Sequence, residues 1–125
     1  MLLRDRLALL EASGVVTARA AALTLQATER VERTFGISLD EDAWEMGSTH
    51  LAMALSRVER GQEQPAVDLE SLGEIESRTE ELELARTLVA HFNEVLGREI
   101  DPGETYLIAA HLAIARDASS PQVAS

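Results

Sequence analysis

Apolar residues recur along nearly the whole chain at intervals of three and four positions, the spacing of one face of an α-helix. The first apolar stripe consists of Leu2, Leu3, Leu7, Leu9 and Leu10. Four later segments show the same period, and no alternating segment longer than a few residues indicates a strand. The pattern therefore predicts an all-α fold, a compact bundle of about five helices.

Capping residues and glycines set the limits of these predicted helices. Glycines at positions 14, 36 and 97 suit the left-handed conformation that ends a helix. Thr17 is a predicted N-cap, Ser38 and Glu41 have the spacing of a capping box, and Asp101-Pro102 starts the last helix. The predicted helices are the stretch up to residue 13 and the stretches 17–35, 38–60, 74–96 and 101–116.

A chain of 125 residues suits one domain with its own core. We expect residues 15–117 to form this domain, residues 1–14 to add a helical segment that packs on it, and residues 118–125 to form a flexible tail. The leucine-rich start contains charged residues and no small-residue cleavage site, which disfavours a signal peptide or a membrane span. We therefore expect a cytoplasmic protein that does not bind membranes.

The charge balance narrows the choice of partners. The chain has 22 acidic and 11 basic residues, a net charge of -11, and no lysine at all. Because the basic stripe that a phosphate backbone attracts is missing, direct binding to nucleic acid is not expected. Cysteines and Gly-rich phosphate loops are also absent from the sequence, so we expect no cofactor.

Two histidines lie on helix faces that are otherwise mostly apolar. In the segment THLAMALSR, His50 shares a face with residues 53, 54 and 57, and in ETYLIAAHL, His111 shares a face with residues 104, 107 and 108. An imidazole in such a place can carry a proton, bind a metal or act as a nucleophile. His50 and His111 are therefore the first candidates for a functional site.

Alternative interpretations of the two histidines remain open from the residues alone. A helical zinc site usually has a second ligand four residues away, which neither histidine has, and His91 would have to complete a set of three. The serines occupy caps, loops and the tail rather than a nucleophile turn. A single imidazole on an apolar face is also typical of a core residue with satisfied nitrogens.

The whole pattern resembles a known family, the phosphotransferase-system regulation domain, or PRD. The resemblance covers roughly residues 15–116 and is carried by the segments THLAMALSR and GREIDPGETYLIAAHL, in that order. PRDs are five-helix domains of bacterial antiterminators and activators. They dimerise and accept a phosphoryl group on histidine from the phosphocarrier protein or from an enzyme II component of the sugar phosphotransferase system.

The resemblance implies a role for each candidate residue. His50 and His111 match the two phosphoacceptor histidines, whereas His91 matches no family site. Arg57 is then a candidate clamp for the phosphoryl oxygens, and Glu104 a candidate repulsive or orienting partner for His111.

The expected protein is thus a single stand-alone PRD. We expect it to act in transcriptional regulation, through a homodimer or a partner, with no enzymatic activity and no metal. Two alternatives stay open: a small helical enzyme or metal-binding bundle that uses His50 and His111, and a helical adaptor that is not phosphorylated.

Overall fold

The computed structural model describes residues 2–65, 67–68, 70 and 73–121. Within this part of the chain, five α-helices account for most of the structure, together with a 3-10 turn at Ile75–Ser77 and a pair of two-residue strands. The elements are α1 (Leu3–Ala12), α2 (Ala18–Phe35), β1 (Ile37–Ser38), α3 (Glu41–Glu59), the 3-10 turn (Ile75–Ser77), α4 (Thr79–Leu96), α5 (Pro102–Ala118) and β2 (Ser120–Pro121).

This architecture confirms the predicted all-α fold. Helix α3 lies at the centre, because it packs against α1, α2, α4 and α5, and α5 in turn packs along α4. The main core joins side chains of α2 to α5 around Phe92, Leu55 and Leu112, each almost fully buried. None of the described helices combines the length and the apolar character needed to cross a membrane.

Helix α2 begins and ends where the sequence predicts. The Thr17 hydroxyl accepts a hydrogen bond from the Ala20 amide at 3.0 Å, which makes Thr17 the N-cap. Gly36 follows the last turn with φ of 65°, the left-handed conformation that a glycine adopts without a steric penalty. The local signals are therefore sufficient to define this helix.

The predicted start of α3 at Ser38 is wrong by two residues. The N-cap is Asp40, whose Oδ1 accepts from the Ala43 amide at 3.0 Å, and Ser38 belongs to β1 instead. Strand β1 pairs antiparallel with β2, so that Ser38 lies opposite Ser120. The long-range pairing draws Ser38 out of the helix, and Asp40 provides an equally suitable cap.

The predicted start of α4 at Glu74 is also wrong. Residues 75–77 form the 3-10 turn, and Arg78 breaks the helical path with φ of -90° and ψ of 69°. The side chain of Ile75 is buried in the core, while the Arg78 guanidinium binds Glu81 and Asp117. Tertiary contacts at both positions explain why the regular helix begins only at Thr79.

The two ends of the chain make specific contacts. Leu7 of α1 is buried with Val16, Ala21 and Ala52, so α1 packs against α2 and α3. At the other end, Ala118 is the last residue of α5, and Ser120 and Pro121 pair with β1. The first half of the expected tail is thus engaged, and residues 122–125 lie outside the described residues.

A network of charges joins the start of α4 to the end of α5. The Glu81 carboxylate is buried, with 3% of its side chain exposed, and its Oε2 accepts hydrogen bonds from Arg78 at 2.9 Å and Arg116 at 3.3 Å. Burial by itself raises the pKa of Glu81, but these bonds and charges, with a backbone hydrogen bond, lower it overall. The Arg116 guanidinium also stacks over the Phe35 ring, 4.0 Å from its centre.

We expect Glu81→Ala to lower the free energy of unfolding by about 1–3 kcal/mol, because it leaves two guanidinium groups without their buried acceptor. The adjacent Glu80→Ala is the matched control. Glu80 is 70% exposed and lies 3.5 Å from Arg116, so its loss should cost about 0.5 kcal/mol or less. Urea unfolding of both variants measures the difference, and equal losses would refute a special role for Glu81.

Candidate functional site

The two candidate histidines face each other across the contact between α3 and α5. His50 lies in the middle of α3 and His111 in the second half of α5. Their ring centroids are 5.6 Å apart, with an angle of 35° between the ring planes. Residues 61 positions apart in the sequence are thus brought into one site, because the apolar faces that carry them pack together.

A buried carboxylate completes this site. Oε2 of Glu104 lies 2.9 Å from Nε2 of His50, and 4% of the Glu104 side chain is exposed, against 29% for His50. The family resemblance makes Glu104 a candidate partner for His111, but its hydrogen bond is with His50. Glu104 and His111 are separated by about 10 Å along the axis of α5, so the carboxylate reaches the facing helix more readily.

Glu104 is available for this contact because Gln64, in the loop after α3, binds the backbone amide that Glu104 would otherwise cap. In a capping box, the acid at the third helical position bonds to the amide of the N-cap residue. Here the amide of Asp101 donates instead to Oε1 of Gln64 at 2.9 Å. Since the N-cap amide is already satisfied, the Glu104 carboxylate is directed between the helices rather than back along its own helix.

Gly47 allows α3 and α5 to approach closely at this point. A Cβ atom at Gly47 would lie 2.8 Å from the Trp44 ring and 2.9 Å from Cβ of His111, closer than normal contacts. Trp44 itself is held by a hydrogen bond from its Nε1 to the buried Thr28 hydroxyl at 3.0 Å. The position of His111 beside α3 therefore depends on the absence of a side chain at residue 47.

The surroundings of His111 favour its neutral form. Burial, followed by the neighbouring His50, lowers the pKa of His111 below its usual value, and Glu104 offsets part of this effect by raising it. The neutral imidazole has one nitrogen with a free electron pair. His111 is thus kept in the form that can act as a nucleophile or an acceptor at neutral pH.

An open groove of about 590 Å³ borders His50 on α3. Its wall includes Thr49, Met53 and Arg57, and Asp42 and Glu45 lie at its other end. Arg57 is partly buried, and its guanidinium forms no ion pair or hydrogen bond within the described residues. The groove therefore gives His50 an approach from solvent with one available cation beside it.

Close to His50 in the sequence, α3 is joined to α1 by a polar contact that the sequence did not predict. The Arg6 guanidinium donates to the hydroxyl of Ser48, two residues before His50, and Ser48 is fully buried. The Ser48 hydroxyl also donates to the Trp44 carbonyl at 2.7 Å. The presence of Arg6 within the apolar stripe of the first helix indicates a buried polar contact, but the sequence does not identify its partner, which is 42 residues away.

The third histidine lies elsewhere. His91 is exposed on α4 and lines a separate groove with Arg30 and Arg33 of α2. Among the described residues, no group of three or more histidine, aspartate or glutamate side chains is arranged to hold a metal ion. The structure therefore brings together His50, His111 and Glu104, places Arg57 in the adjoining groove, and leaves His91 outside.

The fold and this site define a class of protein: a small helical domain with two histidines and one carboxylate at a helix-helix contact. The family model described as PRD domain matches residues 25–115, most of the chain. The chain belongs to this family, whose members are regulatory domains of the phosphotransferase system rather than known enzymes. No curated protein and no solved structure matched this chain.

We expect Gly47→Ala to destabilise the fold and to displace His111. Overpacking costs about 1–3 kcal/mol, which exceeds the gain of roughly 1 kcal/mol that alanine brings to a helix interior. Gly73→Ala is the control, because a Cβ there would meet only a backbone oxygen at 3.5 Å, an ordinary contact. Thermal unfolding and the imidazole NMR signals of His111 measure both effects, and unchanged signals would contradict the close approach.

The lowered pKa of His111 predicts a loss of stability in mild acid. The unfolded chain binds a proton at His111 near pH 6.5, while the folded protein does so only at lower pH. Between these values the unfolded state holds more protons, so the free energy of unfolding falls as the pH falls, by at most about 1.4 kcal/mol per pH unit. His111→Gln should remove this part of the pH dependence.

His91→Gln is the control for that experiment, because it removes an exposed histidine outside the site. Urea unfolding from about pH 7 to about pH 5.5 gives the slopes for the three proteins. A wild-type slope shared by the His111 variant would show that His111 has no part in it.

Proposed function

We propose that this protein is a regulatory domain controlled by phosphorylation of His50 and His111 by the sugar phosphotransferase system. The observation that carries the proposal is the pairing of the two histidine rings, 5.6 Å apart, beside the carboxylate of Glu104, in a chain of the PRD family. PRD domains interact with components of the phosphotransferase system in general. The phosphoryl donor is then the phosphocarrier protein or an enzyme II component.

The chemistry of the site suits a phosphoryl acceptor. A neutral imidazole attacks phosphorus with the electron pair of its unprotonated nitrogen, so an acceptor must be unprotonated at the pH of the cell. The lowered pKa of His111 supports this form. His50 is 29% exposed at the groove beside α3, so a donor side chain can approach it without opening the core.

Arg57 is the proposed clamp for a phosphoryl group on His50. The two residues line the same groove and lie two helical turns apart on one face of α3. Arginine binds phosphoryl oxygens through two parallel hydrogen bonds, and the guanidinium of Arg57 has no competing acceptor among the described residues. The clamp would offset the repulsion that Glu104 exerts on the added charge.

The added charge is the proposed regulatory signal. A phosphoryl group brings about -1.5 to -2 charges to the contact between α3 and α5, where Glu104 is already negative. Repulsion there favours a different packing of these helices or of a surface formed by them. We propose that the change is transmitted through a homodimer or a partner and acts in bacterial transcriptional regulation, in the cytoplasm.

Incubation with phosphoenolpyruvate, enzyme I and the phosphocarrier protein tests the proposal. We expect the intact mass to rise by one or two phosphoryl groups, and the adduct to be labile in acid, as phosphohistidine is. His50→Ala and His111→Ala should each remove their own site, and His91→Ala should change nothing, because His91 lies outside the paired site.

The negative result is equally clear. If neither this donor system nor enzyme II components modify the wild-type protein, while circular dichroism shows that it is folded, the phosphoacceptor role is refuted. Modification at His91 alone would refute the assignment of the site.

A further inference from the structure

The contact with Glu104 distinguishes the two nitrogens of the His50 ring. In a neutral imidazole one nitrogen carries a proton and the other carries a free electron pair. An ionised carboxylate only accepts hydrogen bonds, so the nitrogen that faces it must be the donor. Nε2 of His50 lies 2.9 Å from Oε2 of Glu104, and this contact therefore places the proton on Nε2 and the electron pair on Nδ1.

The location of the ring agrees with this assignment. Nε2 points at a carboxylate with only 4% of its side chain exposed, whereas 29% of the His50 side chain is exposed. The His50 side chain lines the open groove that Arg57 also lines. Nδ1 has no hydrogen-bond partner in the part of the chain that the structure describes.

We propose that Glu104 is a positioning residue that commits His50 to accept the phosphoryl group on Nδ1. The inference rests on the proposed function, because it specifies the atom at which the proposed transfer occurs. It changes the role expected for Glu104: the carboxylate selects the tautomer of His50 on the facing helix rather than orienting His111 on its own helix.

The transfer balances with the proton held in this place. The electron pair of Nδ1 forms the new N–P bond, and the N–P bond of the donor phosphohistidine breaks, leaving its electron pair on the donor nitrogen. No proton has to leave Nδ1, since it carries none. The proton on Nε2 stays in the hydrogen bond to Glu104, which stabilises the positive charge that develops on the ring, as a carboxylate does for the histidine of a catalytic triad.

His111 offers an internal comparison. Its ring has no hydrogen-bond partner among the described residues, so no contact selects one of its nitrogens. The two histidines of one site are therefore different acceptors: Glu104 determines the reacting nitrogen of His50, while access alone determines that of His111. This difference separates a specific effect of Glu104 from a general effect of the site.

The tautomer can be measured before any phosphorylation. Long-range proton-nitrogen NMR spectra of the nitrogen-labelled full chain at neutral pH distinguish a protonated ring nitrogen from one with a free electron pair. We expect His50 to show the proton on Nε2. A proton on Nδ1 in the wild-type protein would overturn the inference, whether or not the protein is ever phosphorylated.

The linkage is then measured on the phosphorylated protein. With phosphoenolpyruvate, enzyme I and the phosphocarrier protein as the donor system, phosphorus and nitrogen NMR of His111→Ala should show a phosphoryl group on Nδ1 of His50. A linkage at Nε2 would overturn the inference while leaving the proposed function intact. Absence of any phosphoryl group on a protein with the expected tautomer would refute the proposed function and the linkage with it.

Two variants identify Glu104 as the cause. Glu104→Gln keeps the shape of the side chain but loses its charge and can donate as well as accept, so we expect a mixture of His50 tautomers and phosphorylation slowed by about tenfold or more. Glu94→Gln, at an exposed position of α4, is the matched control and should keep the wild-type tautomer and rate. An unchanged tautomer in Glu104→Gln would show that another group directs His50.

Discussion

The close approach of α3 and α5 at Gly47 is the constraint on which the rest of the site depends. The backbone of α3 has no side chain at this residue, so Trp44 and His111 occupy the space that a Cβ atom would take. His111 can then lie beside His50, and Glu104 can reach across from α5 to the same ring. The contacts of α3 with α1, α2 and α4 hold this arrangement in place.

Within that contact, one carboxylate and two imidazole rings share a partly buried place. Glu104 is almost fully buried and has the side chain of His50 as its partner, while burial and His50 disfavour a positive charge on His111. Unpaired charges inside a protein are expensive, so a group added to either ring changes the balance of the whole contact.

The sequence predicts the features that depend on near neighbours. Thr17 and Gly36 bound α2 as expected, and the spacing of His50 and His111 on apolar faces places both at a helix contact. Prediction fails where a distant residue competes for a local role. Ser38 pairs with β2 instead of capping α3. Gln64 accepts the hydrogen bond from the Asp101 amide that Glu104 would accept in a capping box. A capping motif indicates one possible hydrogen bond, but in the folded protein a residue distant in the sequence can form that bond instead.

Helix α1 is held by contacts of which some stabilise its attachment and one destabilises it. Leu7 is fully buried and Arg6 donates to Ser48, yet the Nε atom of Arg6 is buried without a hydrogen-bond partner in the described part of the chain. An unsatisfied buried donor costs about 1–3 kcal/mol, which cancels part of what the apolar contact of this helix contributes. The net stabilisation that holds α1, which precedes the residues matched by the family model, is therefore smaller than the burial of Leu7 alone would give.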